Sequence, residues 1–322
     1  MTQTGVQPLI TTLLVSYNTR ELLDPCLAAL RLALQAVGGG KVVVVDNASR
    51  DGSAEHLAQA APDVTLVRSA TNVGFGRANN LALHLVQTPF VLLLNTDAFV
   101  EPDALRLPLD YMASNPSCGI LGARLVGREG DLQPSCRYFP TPWNQFLSRT
   151  GLSRWLPGRL VDDMGWPHDE VRDCDWVPGC YYLVRKEVIE QVGLFDPRYF
   201  LYFEEVDHCR AAKQAGWRVV YFPFTQVVHI GGESARKDGP ISSSGRQVEV
   251  LQLESALLYF RKNHGAVGLL AHLVLEGLAD LLLMLKALLK GQGLGPVVYQ
   301  AKRLRAVTGL LLQTRFGIRP TR

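Results

Sequence analysis

The sequence predicts an α/β fold: an open parallel sheet with helices on both faces, followed by a C-terminal helical extension. Three observations predict it. Short β-prone apolar runs alternate with segments of helical periodicity through the first hundred or so residues. One run, Lys41–Asp46 (KVVVVD), is wholly apolar between its terminal charges, the pattern of a strand buried on both faces. With 322 residues, 47% of them hydrophobic, the chain is long enough to bury such a sheet.

Leu9–Val15 is the first strand. Arg20–Val37 follows as a helix, with Leu22, Leu23, Leu27, Leu30 and Leu34 at helical spacing, and Gly38-Gly39-Gly40 stops it. Lys41–Asp46 is the second strand, and a helix starts at Ser53. Val64–Val67 is the third strand, Ala78–Val86 a helix, and Phe90–Leu94 the fourth strand. Pro102–Ser114 is a helix with proline in its tolerated first turn. From about Leu125 to Trp176 the periodicity fades, and we expect an irregular insertion carrying substrate contacts. Tyr181–Val184 resumes as a strand, Glu204–Ala215 as a helix and Trp217–Phe222 as a strand. Lys237–Gly245 (KDGPISSSG) reads as a mobile lid. Beyond it the chain is helical to about Gln313, interrupted at Gly291–Pro296.

Composition excludes several classes. A chain this apolar, with a net charge of only +3, is not disordered. Six cysteines without a Cys-x-x-Cys pair build neither a disulfide scaffold nor a zinc ribbon, and point to a reducing compartment. No secretion signal is expected, because the N-terminus lacks a basic region before its short apolar run. Charge is uneven: Arg261–Arg322 holds ten Lys/Arg against two Asp/Glu, whereas the preceding residues are net acidic. A basic tail suggests an anionic partner, membrane surface or nucleic acid. The longest stretch of that tail without Lys, Arg, Asp or Glu, Asn263–Leu275, is 13 residues. A spanning helix needs about 20 apolar residues, so no transmembrane helix is expected.

Ligands of parallel α/β sheets bind outside the carboxyl ends of the strands. Polar clusters follow all four predicted strands: Ser16-Tyr17-Asn18, Asp46 to Gly52, Asn72 to Asn80, and Asn95-Thr96-Asp97. Any one of them is explained by turn chemistry. All four together favour a shared site. Asp46 is placed to accept from a base imide or a ribose hydroxyl. Gly74 and Gly76 permit close backbone approach to a phosphate. Asp97 is placed to hold a divalent cation bridging a diphosphate; its plain alternative is a capping carboxylate. Neither the dinucleotide fingerprint nor a phosphate loop of the Gly-Lys-Ser/Thr type is present.

VSYN (15–18), VDNASRDGS (45–53), NVGFGRANN (72–80) and LLLNTDA (92–98) together resemble the family 2 glycosyltransferases. The likeness continues through 176–217 and VVHIGGES (227–234), covering roughly residues 9–262. It is nearest to the rhamnosyltransferase-type members that build bacterial cell-surface polysaccharide. The resemblance implies a GT-A fold, a Rossmann-like open mixed sheet, with a catalytic domain over 1–262. Its nucleotide-sugar half would span 9–125 and its acceptor and catalytic half 126–236, leaving 263–322 as a basic helical tail. It also implies single-displacement, inverting transfer from a nucleotide-diphospho-sugar with Mg²⁺ or Mn²⁺. By position, Ser16, Asn18, Asp46, Asn47, Asn72, Gly74, Phe75, Gly76, Asn79 and Asn95 would hold the donor. Asp97 and His229 would hold the metal, Trp176 and Gly179 would shape the acceptor pocket, and Glu205, paired with Glu204, would be the catalytic base. Two departures stand out: Asn95 replaces the first Asp of the stricter Asp-x-Asp motif, and Glu205 is one methylene longer than the usual Asp.

Each position has a plainer reading. Glu204, Glu205, Asp207 and Arg210 suit a solvated helix start, although the run Tyr199–Phe203 before them argues for burial. His229 suits a hydrogen-bonded strand end, His208 a supporting or exposed position, and Cys180 and Cys209 small packed hydrophobes. In Leu269–Lys290, His272, Glu276, Asp280, Lys286 and Lys290 share about a third of the helix circumference. That pattern, with its basic flanks, suits an interfacial membrane helix; the alternatives are a helix pair over the core and a dimer contact. The expected reaction is rhamnosyl transfer from dTDP-rhamnose to a saccharide or lipid-linked saccharide, at the inner face of the cytoplasmic membrane. Alternatives are a UDP-sugar donor (GlcNAc, galactofuranose or glucose), a nucleotidyltransferase, or a non-catalytic saccharide- or nucleic-acid-binding module. The nucleotidyltransferase lacks the Gly-rich basic loop it needs after the first strand. Nucleic-acid binding lacks interleaved aromatics, only Tyr299 and Phe316 lying beyond Phe260.

Overall fold

Strand residues alternate between two apolar cores, one on each face of a single sheet. Leu13, Val43, Val45, Val91 and Leu93 enter one core, and Leu14, Val42, Val44, Leu92 and Leu94 the other. The computed structural model describes residues 9–156, 158–231 and 246–322. The loop at Lys237–Gly245 lies outside them, as does the end of the 227–234 segment.

The first half is a parallel array. Strands β1 (Ile10–Ser16), β2 (Lys41–Asp46), β3 (Thr65–Arg68) and β4 (Phe90–Asn95) lie in the order β3-β2-β1-β4. Helices α1 (Arg20–Gln35) and α2 (Ser53–Ala60) cover one face, and the short α3 (Phe75–Leu81) the other. The sheet then turns mixed. β5 (Ala98–Val100) leaves for the far edge, and α4 (Arg106–Ser114) leads to β6 (Cys118–Val126). The two-residue strands β7 (Leu132–Gln133) and β8 (Arg172–Asp173) flank α5 (Pro142–Thr150) in the insertion. β9 (Tyr181–Arg185) runs antiparallel between β4 and β6, and α6 (Lys186–Val192) and α7 (Glu204–Gln214) lead to β10 (Arg218–His229), parallel to β6 and antiparallel to β5.

Three differences from expectation have physical causes. β6 escapes the periodicity because Gly119 and Gly122 interrupt its apolar run. A Cβ at 122 would lie 2.5 Å from Val177, so packing demands the glycine. β10 runs seven residues past Phe222, through Pro223, with its register against β6 shifting between Phe222 and Gln226. α3 starts three residues earlier than its periodicity suggests, at Phe75, and gives way after Leu81 to a 3-10 turn at Leu83–Leu85.

The C-terminal region is helical. α8 (Arg246–Leu289) is broken at Gly265, where φ is 68° and ψ is −167°; α9 (Gly295–Gln313) packs back on it. By length and composition alone α8 could cross a bilayer. Its charges are held otherwise. Glu276 and Asp280 face the protein, where Arg149 of α5 reaches both at 2.7 and 2.5 Å and Arg303 of α9 also pairs with both. The polar side of the helix therefore points inward.

Candidate active site

The carboxyl ends of β1, β2 and β4 converge on a cavity of about 330 Å³. Asn47, just after β2, organises one wall of it. Its Nδ2 donates to Asn72 Oδ1 at 2.9 Å, and its Oδ1 accepts from the Val73 N–H at 2.9 Å. Asn72 Oδ1 also accepts from the Gly74 N–H at 3.0 Å. Gly74, with φ 87°, lies against the Phe200 carbonyl: a Cβ there would sit 2.1 Å from that oxygen. The next N–H, of Phe75, donates to the same carbonyl at 2.9 Å. The loop before α3 is thus stitched to the loop before α7.

Asn47, Asn72, Gly74, Phe75, Asn95 and Gly179 all line the cavity. Ser16, Asn18 and Asp46 do not, although each neighbours a lining residue. Ser16 Oγ lies 3.2 Å from Thr19 Oγ1, and Asn18 Oδ1 accepts from the Arg50 N–H at 2.8 Å. Asp46 Oδ2 accepts from the Ser49 N–H at 3.2 Å, while its buried Oδ1 has no hydrogen-bond partner among the described residues. Gly76 and Asn79 have packing roles. A Cβ at 76 would come within 3.5 Å of Glu204 Cβ, and Asn79 Nδ2 donates to the Phe75 carbonyl at 3.0 Å. Trp176 also stays out of the cavity: its indole N–H donates to the Tyr138 carbonyl, and the Arg137 guanidinium lies 4.1 Å over its ring.

Asp97 follows β4, and the β5–β10 pairing brings His229 opposite Ala98 beside it. His229 Nε2 lies 3.6 Å from Asp97 Oδ1. Gln133 fixes the ring: its Oε1 is 3.0 Å from Nδ1, and its Nε2 donates to the His229 carbonyl. With Nδ1 as the protonated nitrogen, Nε2 is left as a lone-pair donor toward Asp97. Burial lowers the imidazole pKa, against the pull of Asp97. Among the described residues no group of three or more His, Cys, Asp or Glu gathers for a metal. A buried carboxylate and an oriented imidazole fit Mg²⁺ or Mn²⁺ that draws its remaining ligands from diphosphate oxygens and water.

Glu204 and Glu205, at the start of α7, also line the cavity. Tyr202 and Phe203 just before them have φ 70° and 69°, two successive non-glycine residues in the left-handed region. Such conformations cost about 1–3 kcal/mol each and persist only when the surroundings enforce them. Here α8 enforces them: Ser255 Oγ donates to the Leu201 carbonyl at 2.9 Å, and Tyr259 packs on Phe203 with ring centroids 5.2 Å apart. The Oε2 atoms of both glutamates are buried and have no hydrogen-bond partner among the described residues. Burial pushes both carboxyls up, and the Glu205 charge raises Glu204 further. The N–H groups of Glu205, Val206 and Gly179 and the Arg137 guanidinium hold Glu205 back. The proton therefore favours Glu204, leaving Glu205 the readier carboxylate.

Asp207 and His208 are buried, not solvated. Asp207 accepts from Lys262 Nζ at 2.5 Å and Asn263 Nδ2 at 2.8 Å, anchoring α8 to α7. His208 lies 2.7 Å from the Tyr182 hydroxyl, and burial pushes its pKa down to about 4. Cys180 and Cys209 are buried, their thiol pKa values raised by burial. Sequence reasoning missed Gln133 and Arg137, which lie in the aperiodic insertion, and Val248 and Leu251 of α8, which line the cavity without any local signal.

Known proteins resemble this chain in sequence and fold. The family model for Glycosyl transferase family 2 matches residues 11–166. An N-acetylglucosaminyl-diphospho-decaprenol L-rhamnosyltransferase of Mycobacterium tuberculosis is 30% identical over 254 residues, covering 73% of this chain and 79% of its own. Rhamnosyltransferase WbbL of Escherichia coli is 28% identical over 166 residues, 48% of this chain and 60% of its own. Among solved structures, the mannosyltransferase PcManGT of Pyrobaculum calidifontis, in complex with GDP-Man and Mn²⁺, superposes with a TM-score of 0.58. It is 17% identical, over 97% of this chain and 88% of that one.

Proposed function

Because the chain belongs to glycosyl transferase family 2 and has the GT-A fold, we propose that this nucleotide-sugar glycosyltransferase moves rhamnose from dTDP-rhamnose to a lipid-linked saccharide at a membrane surface. The rhamnosyltransferase relatives support the donor sugar, and the decaprenol-linked acceptor in the name of the mycobacterial relative supports the lipid-linked acceptor. Cytoplasmic, membrane-peripheral placement follows from that acceptor, with 1–262 as the catalytic domain and 263–322 as its tail.

One observation carries the assignment of roles. Two buried carboxylates with unmatched oxygens face a cavity that also holds the Asp97–His229 pair. Glu205 takes the proton of the acceptor hydroxyl as it attacks, its Oε2 being free to receive it. Glu204, carrying the shared proton, keeps a second negative charge away from that oxygen. Asp97 and His229 Nε2 would hold Mg²⁺ or Mn²⁺, which when bound neutralises charge growing on the departing diphosphate. Asn47 and Asn72 hold the 72–76 loop where the donor backbone passes, and the orphan Asp46 Oδ1 accepts from the nucleoside. Attack from the Glu205 side on an anomeric carbon held by the opposite wall inverts its configuration.

Nucleoside diphosphate release from a panel of nucleotide-sugars, with Mg²⁺ or Mn²⁺ and no acceptor, tests this. dTDP release from dTDP-rhamnose, abolished by EDTA and by Asp97→Ala, is expected. Release from a UDP-sugar alone would overturn the rhamnose assignment. Release undiminished by EDTA would remove the metal.

A further inference from the structure

The second half of α8 is built with its polarity reversed. Between Gly265 and Leu285 its three polar side chains, His272, Glu276 and Asp280, are buried, and every exposed position is apolar or glycine. Leu270, Val274, Leu278, Leu281, Leu285 and Leu288 recur at three- and four-residue steps, 43–61% exposed, and form one continuous outward stripe. A helix covering the core of a soluble domain points such a stripe inward. Here Arg149 and Arg303 hold the acids inside and so keep the leucines outside.

A cation flanks the stripe rather than extending it: Lys286 is exposed on the side of the helix that carries the acids, past the last of them. Lys286 and Leu282 also line a cavity of about 520 Å³ together with Arg154 and Trp155, from the loop after α5. Trp155 is 83% exposed. A long leucine face, an exposed indole beside it and cations at its margin are the parts of an interfacial membrane contact: acyl chains meet the leucines, the indole sits at headgroup depth, and the cations meet phosphate. Charge selects the occupant. Both acids of this stretch are buried, so the same face of a second copy would offer Lys286 and Arg154 no counter-charge, whereas anionic lipid does.

We propose that the outward face of α8, with Trp155 and Arg154, docks this protein on bilayers containing anionic lipid. The purpose of the docking rests on the lipid-linked acceptor proposed above. Val248 and Leu251, on the first half of the same helix, line the catalytic cavity, so one helix runs from the bilayer contact to the site.

Sedimentation of the full chain with vesicles tests the proposal, using phosphatidylcholine alone and mixed with phosphatidylglycerol. Binding to the mixed vesicles is expected. Leu278→Glu with Leu285→Glu should weaken it by about tenfold or more. Arg154→Glu with Lys286→Glu should weaken it by a similar factor on mixed vesicles, with no change on phosphatidylcholine alone. Should the first pair melt early, the uncharged pair Leu270→Ser with Leu281→Ser gives the same test. Donor hydrolysis on the same preparations keeps the two readings apart. Vesicle binding lost with hydrolysis intact supports the docking face, and vesicle binding retained where hydrolysis is absent strikes only the catalytic reading. The proposal is overturned if the wild-type chain ignores mixed vesicles, or if the leucine variants bind them as well as wild type. A wild-type dimer that Leu278→Glu with Leu285→Glu splits into monomers would also overturn it, by assigning the face to a second copy.

Discussion

The molecule buries two pairs of acids, and it treats them in opposite ways. Glu276 and Asp280 in the tail are each matched by Arg149 and Arg303. Glu204 and Glu205 at the cavity keep oxygens with no hydrogen-bond partner among the described residues, although the Arg137 charge acts on Glu205. Burying a carboxylate is costly in both places. In the tail the cost is offset on the spot. At the cavity it is carried by the rest of the fold, including the α8 contacts that hold Tyr202 and Phe203 in the left-handed region. Burial of an acid is thus no mark of chemistry by itself; burial without a partner, facing a cavity, is.

That contrast breaks most readily at Glu205. Glu205→Gln should lower turnover by roughly 10²–10⁴-fold while leaving the melting temperature unchanged or raised, because a buried negative charge disappears. Full turnover in the variant would end the assignment of Glu205 as base. The mirror-image change is Arg303→Met. It leaves Glu276 and Asp280 to share Arg149 alone, one buried charge unbalanced, and should destabilise the protein by about 3–5 kcal/mol, with turnover per folded molecule unchanged. Denaturant titration beside a donor assay checks both halves. A loss below about 1 kcal/mol would mean the tail cluster behaves like a surface ion pair.

A smaller effect sharpens the comparison, since each region also holds a neutral histidine. Burial pushes the pKa values of His208, near the cavity, and His272, in the tail, down to about 4. Glu276 opposes that shift at His272, and Arg303 and Arg149 add to it. The unfolded chain protonates these rings near pH 6.5 and the folded chain only near 4. Between those values the unfolded state holds more protons, so stability falls as pH falls from about 6.5 toward 4. Urea titrations at neutral and mildly acidic pH should show this loss, and His272→Phe should reduce it. The replacement ring keeps the stack on Phe260, whose centroid lies 4.1 Å from that of His272. A variant with an unchanged slope would exclude His272 as its source.

Much of one cavity wall was legible because parallel strands deliver their carboxyl ends to one edge; Asn47, Asn72 and Asn95, which line it, follow strands whose apolar runs are plain. The partnership of Asp97 with His229 was legible only through family resemblance, since it depends on β5 crossing to the far edge to meet β10. β6 was hidden by glycines that exist for packing. The helical wheel placed His272, Glu276 and Asp280 on one side of α8. Which side faces the protein is decided by two arginines on other elements, one of them 127 residues from Glu276, and local periodicity holds no trace of that choice.

The contact between Gly74 and Phe200 has a consequence for how such an enzyme changes over time. Backbone meets backbone there, so no side chain at 74 fits, and the Phe75 N–H is committed to a carbonyl 125 residues away in sequence. A first half grafted from another member would have to bring its own glycine and the same loop path opposite it. New sugar preferences are therefore more accessible through single pocket side chains than through exchange of halves, and a chimera joined between β4 and β9 should fail at this one seam before it fails anywhere in the sheet.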